Sequence, residues 1–285
     1  MSFGAFFEHI LNIAFLTLFA YFCEMLNHSE KIYFISDIHL GAHHAEHETL
    51  KRDRLLSFLQ HVEQEDADLV IVGDLFDFWF EYRTVVPRQH FRVLGQLANM
   101  AQHNPIHYMA GNHDFWLDSF MSQEIGLHIH PDDFIINRAS QRIYIRHGDG
   151  LLKTDYGYRF LKKILRNKVN IFLYRLIHPD FGIPFALFWS HLSRNSGEKQ
   201  KDTYMDVDYR HYAFEKIDEG FDVVILGHTH WPARQQYHDG FYVNPGFWGM
   251  DFTYAVVDNG MPELLQWNGR EGVPFEITLP PGNQT

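Results

Sequence analysis

Five short apolar runs, each about as long as a β-strand, are followed at once by glycine or by polar residues. They are 31–36 (KIYFIS), 69–72 (LVIV), 106–110 (IHYMA), 142–146 (RIYIR) and 223–226 (VVIL). Short runs rich in β-branched and aromatic residues, bounded by turn residues, are typical of buried strands. Between the first runs, residues 54–62 and 91–101 carry apolar side chains at helical spacing. Strands that alternate with helices predict an α/β fold with a mostly parallel or mixed sheet.

The polar residues after these five runs are of the types that bind metal ions. They are Asp37-x-His39, Gly73-Asp74, Gly111-Asn112-His113-Asp114, His147-Gly148-Asp149 and Gly227-His228-x-His230. Ligands of open α/β sheets bind outside the carboxyl ends of the strands, so we expect these side chains to converge. One cluster alone would pass as an ordinary turn at a strand end. Five such clusters in succession favour a common site.

The mixture of nitrogen and oxygen ligands suits Mn²⁺, Fe²⁺, Co²⁺ or Zn²⁺ better than Ca²⁺, which prefers oxygen alone. Asp74 is central in the series, and a bridging carboxylate lets two cations lie roughly 3.5–4 Å apart. Two such ions make a water more acidic and clamp phosphoryl oxygens, so the pattern predicts phosphoester hydrolysis. His113 is expected to donate a hydrogen bond to the phosphoryl group or to protonate the leaving oxygen, rather than to bind metal.

Composition narrows the function further. With 285 residues, of which 46% are hydrophobic and 21% charged, the chain can bury a sizeable core. A formal net charge of −12 argues against a general nucleic-acid binder and disfavours a nuclease. The single cysteine, Cys23, excludes an internal disulfide and a cysteine-based zinc site, and it fits a reducing compartment.

Residues 1–29 form an apolar N-terminal extension ahead of the domain expected at 30–285. The apolar run Ile10–Cys23 is shorter than the roughly 20 residues of a membrane span. No Lys or Arg precedes it, as a secretory signal would require. Three interpretations stay open: an interfacial anchor helix, a marginal membrane span, or a start codon placed upstream of the true start at Met25.

The segment at about 151–210 breaks the alternation of strands and helices. Apolar residues from Leu161 to Ile177 recur at helical spacing, and the other face is basic. An aromatic stretch, Phe181–Trp189, and a polar stretch, 193–208, follow. We predict a helical cap insertion over the strand ends. The alternative is an amphipathic helix packed on the sheet. Beyond the cap, 241–246, 254–257 and 262–267 resemble short strands and are expected to complete a second sheet.

The ordered motifs resemble those of the calcineurin-like metallophosphoesterase superfamily over roughly residues 32–247. The resemblance implies an α/β sandwich of mixed β-sheets flanked by helices. It also implies two metal sites that share Asp74. The first would consist of Asp37, His39, Asp74 and His230, and the second of Asp74, Asn112, His147 and His228. Asp74 and His113 would be the catalytic residues.

A closer resemblance is to the UDP-2,3-diacylglucosamine diphosphatases of lipid A synthesis, through Gly73-Asp74-Leu-Phe-Asp-Phe-Trp79, Gly227-His-Thr-His230-x-Pro232 and the position of the cap. It implies two divalent ions, most often Mn²⁺, and cleavage of a pyrophosphate by water at the α-phosphorus, which releases UMP and a lipid 1-phosphate. The cap would bind the acyl chains. Substrate-binding positions carried over are Asn112, His113, Asp155, Tyr158, Asn195 and Ser196. The expected location is cytoplasmic and peripheral at the inner membrane, with a UDP-linked glycolipid as partner and no nucleic acid.

Two positions depart from that closer pattern. His113 stands where many of these diphosphatases have Arg, and Asp77 stands where Glu also occurs. The alternative function is therefore a diphosphatase or phosphodiesterase for another nucleotide or lipid phosphoester. A non-catalytic scaffold is disfavoured because every ligand position is filled.

Overall fold

The computed structural model describes residues 30–138, 141–151 and 162–276, and within these ranges it describes only the backbone of 191–206. Predictions for the N-terminal extension, for Asp155 and Tyr158, and for the side chains of Asn195 and Ser196 lie outside the described part. Among the described residues, no helix is long and apolar enough to cross a membrane.

Seven strands form the first sheet, in the order β12-β11-β10-β1-β2-β3-β4. Their bounds are β1 Ile32–Ile35, β2 Asp68–Ile71, β3 Ile106–Met109, β4 His128–His130, β10 Thr253–Asp258, β11 Met261–Trp267 and β12 Gly272–Pro274. The strands β1, β2, β3 and β4 run parallel, and β10 lies antiparallel to β1. The predicted strands at 254–257 and 262–267 therefore exist but belong to the first sheet, not the second. A run of apolar residues identifies a strand without revealing its partner.

Five strands form the second sheet, in the order β5-β6-β7-β9-β8. Their bounds are β5 Phe134–Arg138, β6 Gln141–Arg146, β7 Val223–Leu226, β8 Ala233–Tyr237 and β9 Gly240–Asn244. The central strands β6, β7 and β9 are parallel, while β5 and β8 are antiparallel edges. Both sheets have parallel strands in their centres. The carboxyl ends of these strands, and the loops that follow them, therefore lie at one edge of the molecule.

The two sheets pack face to face on a purely apolar core. Phe34 and Val70 of the first sheet meet Ile145 and Ile225 of the second, and all four are fully buried. The outer face of the first sheet is covered by α1 (Ala45–Gln64) and α2 (Phe91–Met100), as the helical spacing predicted. The predicted fold class, an α/β sandwich of mixed sheets flanked by helices, is confirmed.

The cap region contains a turn of helix at 162–165, then α3 (Lys168–Arg175) and the 40-residue α4 (Pro179–Asp218). The prediction of one amphipathic helix through 161–177 is wrong in one respect, because the helix is interrupted at Asn167. The Asn167 side chain accepts a hydrogen bond from the backbone N–H of Val169 (2.8 Å) and so caps a new helix. The last turns of α4 pack Ala213 and Ile217 on the outer face of the second sheet. A last short helix, α5, spans Trp248–Asp251.

Candidate metal centre

Five loops at one edge of the sandwich bring the candidate ligands together. Asp37 and His39 follow β1, Asp74 follows β2, Asn112 follows β3, His147 follows β6, and His228 and His230 follow β7. Three overlapping groups have ligand atoms within 4.8 Å of one another: Asp37, His39 and His230; His39, Asp74 and His113; and Asp74, His147 and His228. The convergence expected from the order of the motifs is thus present in the structure.

Asp74 lies between the two halves of this cluster. Its Oδ2 is 3.7 Å from His39 Nε2 on one side and 3.4 Å from His147 Nε2 on the other. Beyond His39, the Nε2 atom of His230 is 3.2 Å from Asp37 Oδ1. Beyond His147, the Oδ1 atom of Asn112 is 3.1 Å from His147 Nε2. One carboxylate therefore faces ligands of both predicted metal sites, which is the position that a bridging ligand requires.

The backbone at these residues adopts an unusual conformation. Among the described residues, nine non-glycine residues have positive φ, and five of them are candidate ligands: Asp37, His39, Asp74, His228 and His230. A positive φ is uncommon outside glycine. It costs about 1–3 kcal/mol, which the interactions of the surrounding structure must offset. Here the N–H groups of Ile38 and His39 both donate to the carbonyl oxygen of Asp74 (2.9 Å each), which locks two of the loops together. Strain held in this way is typical of functional sites.

Two imidazoles have a partner that orients them. His147 Nδ1 donates to the carbonyl oxygen of Val72 (2.7 Å), so Nε2 is the ring nitrogen that faces Asp74. His39 Nδ1 lies 3.5 Å from Asp77 Oδ1, while its Nε2 faces Asp37, Asp74 and His230. Histidine ligands of metals usually have such a carbonyl or carboxylate behind them, which fixes the ring and the tautomer.

A buried oxygen at Asp37 indicates that cations fit this site. Asp37 is fully buried, and its Oδ2 accepts hydrogen bonds from Ser36 Oγ (2.6 Å) and from the N–H of His228 (3.0 Å). Its Oδ1 lies 3.2 Å from His230 Nε2 but accepts no hydrogen bond of good geometry from the described residues. An unsatisfied buried carboxylate oxygen is costly, whereas a divalent ion would satisfy it. Together with the nitrogen and oxygen donors around Asp74, this arrangement fits two divalent ions.

The pKa values of the imidazoles reflect the crowding of carboxylates. Burial lowers the pKa of His39, but Asp37, Asp77 and Asp74 outweigh burial and raise it to about 9. Burial likewise lowers the pKa of His147, but Asp74 and other acids raise it to about 10. Burial and the neighbouring His147 lower the pKa of His228 to about 4. Because metal ligation requires neutral imidazole, cation binding at neutral pH must displace protons from His39 and His147.

His113 is held next to Asp74 by three contacts. Its backbone N–H donates to Asp74 Oδ1 (2.9 Å), and its Nδ1 lies 2.9 Å from the carbonyl oxygen of Asp77 and 3.3 Å from Ser190 Oγ on α4. A carbonyl oxygen can only accept, so Nδ1 carries the hydrogen and Nε2 is the nitrogen left for a substrate. The Ser190 contact joins the cap directly to the site.

Two acids, Asp114 and Asp77, support the candidate ligands, a role that the motifs alone did not indicate. Asp114 is fully buried and accepts from the backbone N–H groups of Gly111 (2.8 Å) and Leu75 (2.7 Å) and from the hydroxyl of Tyr108. It thereby fixes the loops that carry Asp74 and Asn112. Asp77 lies 3.5 Å and 3.6 Å from the Nδ1 atoms of His39 and His113. The signal for both was present in the sequence, as an acid two or three residues after a candidate ligand.

Some basic residues of the face predicted in the cap contact the domain below it. Lys162 forms an ion pair with Asp149, which lies two residues after His147. Arg175 donates to the carbonyl oxygen of Glu81 (3.3 Å). Trp116 Nε1 donates to the carbonyl oxygen of Leu165 (2.8 Å) and further ties the cap to the loop after β3.

Comparison with known sequences assigns the class. The sequence model of the family described as Calcineurin-like phosphoesterase matches residues 30–232, and the chain therefore belongs to that family. The recognition of this family from the five motifs is confirmed.

Particular relatives narrow the similarity. A UDP-2,3-diacylglucosamine hydrolase of Porphyromonas gingivalis is 38% identical over 174 residues, covering 60% of this chain and 66% of that protein. A protein of the same name from Proteus mirabilis is 31% identical over 203 residues, covering 70% of this chain and 82% of that protein. Among solved structures, the phosphoesterase Yfce from E. coli aligns with a TM-score of 0.43 at 19% identity, covering 87% of this chain and 100% of that one.

Proposed function

We propose that this protein is a dinuclear-metal hydrolase that cleaves the pyrophosphate of UDP-2,3-diacylglucosamine, giving UMP and 2,3-diacylglucosamine 1-phosphate. The observation that carries the proposal is the meeting of six candidate metal ligands around Asp74, below a helical cap with exposed apolar surface. Two relatives named for this substrate are 38% and 31% identical to the chain over 174 and 203 residues.

Asp37, His39, Asp74 and His230 would hold one ion, and Asp74, Asn112, His147 and His228 the other. Divalent ions bound there supply Lewis-acid chemistry, which makes a water a better nucleophile and offsets the charge of the phosphoryl oxygens. Mn²⁺ is the ion that we expect, and Fe²⁺, Co²⁺ or Zn²⁺ would suit the same donors.

His113 and Asn112 would orient the scissile phosphate. The His113 ring lies beside Asp74 and His39, and with Nδ1 committed to the carbonyl oxygen of Asp77 its Nε2 is left to meet a phosphoryl or leaving-group oxygen. The side-chain amide of Asn112 can donate through its nitrogen while its oxygen faces His147. Asp155, Tyr158, Asn195 and Ser196 remain proposed contacts of the sugar and phosphate groups.

A groove in the cap suits acyl chains. It has a volume of about 670 Å³ and lies between the loop at 82–89 and the first turns of α4, with Val85, Pro87, Ile183, Pro184 and Leu187 in its lining. At Gly182, α4 comes close to the loop at 82–89, since a Cβ there would lie 2.8 Å from Tyr82 Oη. About half of its lining surface is apolar, and a concave surface of this size is typical of ligand sites.

A second stripe on α4 suits a bilayer surface. Phe181, Phe185 and Phe188 lie at i, i+4 and i+7, on a different face from the groove residues, and are 75%, 59% and 62% exposed. The neighbouring α3 adds exposed Phe172 and Leu176. Exposed aromatic residues near basic side chains favour peripheral contact with a membrane. We therefore propose a cytoplasmic protein that docks on the inner membrane through the cap.

Hydrolysis of UDP-2,3-diacylglucosamine in ¹⁸O-labelled water with Mn²⁺ tests the reaction. We expect UMP that carries one ¹⁸O atom, because the proposed attack is at the α-phosphorus. Label in the lipid phosphate would contradict this direction of attack. An intact lipid substrate, together with hydrolysis of a soluble phosphodiester, would favour the alternative function on another phosphoester.

A further inference from the structure

A second cluster of imidazoles lies at the edge of the first sheet, apart from the candidate metal centre. The edge strand β4 has only three residues, and two of them are histidines, His128 and His130. Residues at i and i+2 of a strand project from the same face. His107 of β3 is in register with His128 in the parallel pair of strands. Three imidazoles therefore share one face of two adjacent strands.

One pair of nitrogens in this cluster lies close to the separation of two ligands of one ion. His107 Nδ1 lies 3.0 Å from His130 Nε2. The ring centroids of His128 and His130 are 5.1 Å and 5.2 Å from that of His107. Two imidazole nitrogens bound to one tetrahedral Zn²⁺ are roughly 3.3 Å apart, given Zn–N distances of about 2.0–2.1 Å. The close pair of nitrogens is thus near the separation that a shared ion requires.

The surroundings of His107 and His130 hold these two rings in place and keep them neutral. Phe134 of β5 stacks on His130 (centroids 3.8 Å apart) and on His107 (4.6 Å). Burial and the neighbouring imidazoles lower the pKa of His107 to about 4, and they lower that of His130 as well. The nearby cation Arg138 is paired with Asp68. At neutral pH His107 and His130 are therefore unprotonated, which is the form that binds metal.

We propose that His107, His128 and His130 form a separate site for one divalent ion of borderline character, such as Zn²⁺. On metal binding, the ring that carries the hydrogen shared by His107 and His130 would change tautomer, losing that proton to solvent and taking one up on its other nitrogen, so that both facing nitrogens ligate the ion. The exposed His128 would complete the site by a change of rotamer. Such an ion would join the short edge strand β4 to β3. The N–H of Ala110 donates to the carbonyl oxygen of His130 (3.1 Å). The ion would therefore also stabilise the end of β3, which leads to Asn112.

The test is the zinc content of the tag-free, full-length protein after dialysis against Zn²⁺ and removal of excess, measured by mass spectrometry. We expect His107→Gln and His128→Gln to bind one ion per chain fewer than the wild type. His103→Gln, which changes an exposed histidine outside the cluster, should keep the wild-type stoichiometry. The rise in melting temperature on addition of Zn²⁺ should likewise be smaller in the two cluster variants than in the control.

Equal zinc content in the wild type and in both cluster variants would overturn the proposal and leave a hydrogen-bonded histidine pair stacked on Phe134. His128 is exposed and its side chain has no role in the core, so His128→Gln keeps the test decisive even if His107→Gln folds poorly.

Discussion

The edge of the sandwich that holds the candidate metal ligands differs from the cap above it in how deeply its residues are buried. At the edge, Asp37, His39, Asp74 and His147 are at most 2% exposed and are fixed by backbone hydrogen bonds. In the cap, α3 has no buried residue at all. Two ions and an attacking water need positions set to within fractions of an ångström, whereas a lipid needs apolar surface that it can reach. The contrast supports our proposal that the chemistry takes place at the edge and that the cap binds the lipid part of the substrate.

The largest effect on the rigid side is expected from Gly111→Ala. A Cβ at Gly111 would lie 2.0 Å from Asp74 Oδ1, so the Asp74 carboxylate would have to move. Displacement of a reacting group by about 1 Å can cost around a hundredfold in rate, and we expect at least that loss in kcat. The matched control is Gly95→Ala in α2, where a Cβ would meet nothing within 4 Å. Equal activity of the two variants would contradict a tightly packed centre.

Asp114→Asn is expected to weaken folding as well as catalysis. An amide in place of the carboxylate would point an N–H₂ group at the donors of Gly111, Leu75 or Tyr108, so a buried donor loses its partner. We expect the free energy of unfolding in urea to fall by about 3 kcal/mol. The exposed Asp132→Asn should leave it within about 0.5 kcal/mol of the wild type. A neutral Asp114→Asn would mean that this acid does not hold the loops.

Asp77→Asn should act on the metals more than on the fold. The carboxylate stands behind His39 and His113, and loss of such a supporting group typically weakens metal affinity about 10–100-fold. Calorimetric titration with Mn²⁺ measures this affinity. Asp53→Asn, at an exposed ion pair on α1, is the control. An unchanged affinity in Asp77→Asn would place the support of His39 elsewhere.

The smallest of these effects concerns the cap. Replacing Phe181, Phe185 and Phe188 together by Ser should reduce binding to phospholipid vesicles about tenfold, because three exposed aromatic rings would no longer enter the interface. Co-sedimentation with vesicles measures it. Phe91→Ser removes an equally exposed ring on α2 (74% exposed) and should change nothing. If Phe91→Ser matched the triple variant, the cap would have no special part in docking.

The sequence was sufficient for eight of the twelve described strands, but not for β4, β5, β8 and β12, and for the grouping of the ligands, which has a local reason. Each candidate ligand directly follows an apolar run, and the carboxyl ends of parallel strands meet at one edge, so Asp37, Asp74 and His228 could be brought together without coordinates.

What the sequence could not give depends on partners distant along the chain. The role of Asp114 arises from backbone N–H groups of the loop after β2, nearly 40 residues earlier. The assignment of β10 to the first sheet depends on its pairing with β1, more than 200 residues away. The break at Asn167 was visible only as a residue type, because helical apolar spacing continues across it.

The central claim is that Asp74 bridges two ions, and electron paramagnetic resonance of the Mn²⁺-loaded protein tests it most directly. The account predicts two Mn²⁺ per chain with the spectrum of an exchange-coupled pair, because a shared carboxylate holds two ions roughly 3.5–4 Å apart. In Asp74→Ala the coupling should disappear. A wild-type spectrum of isolated Mn²⁺ alone, at saturating metal, would contradict the bridge and with it the assignment of catalysis to this edge.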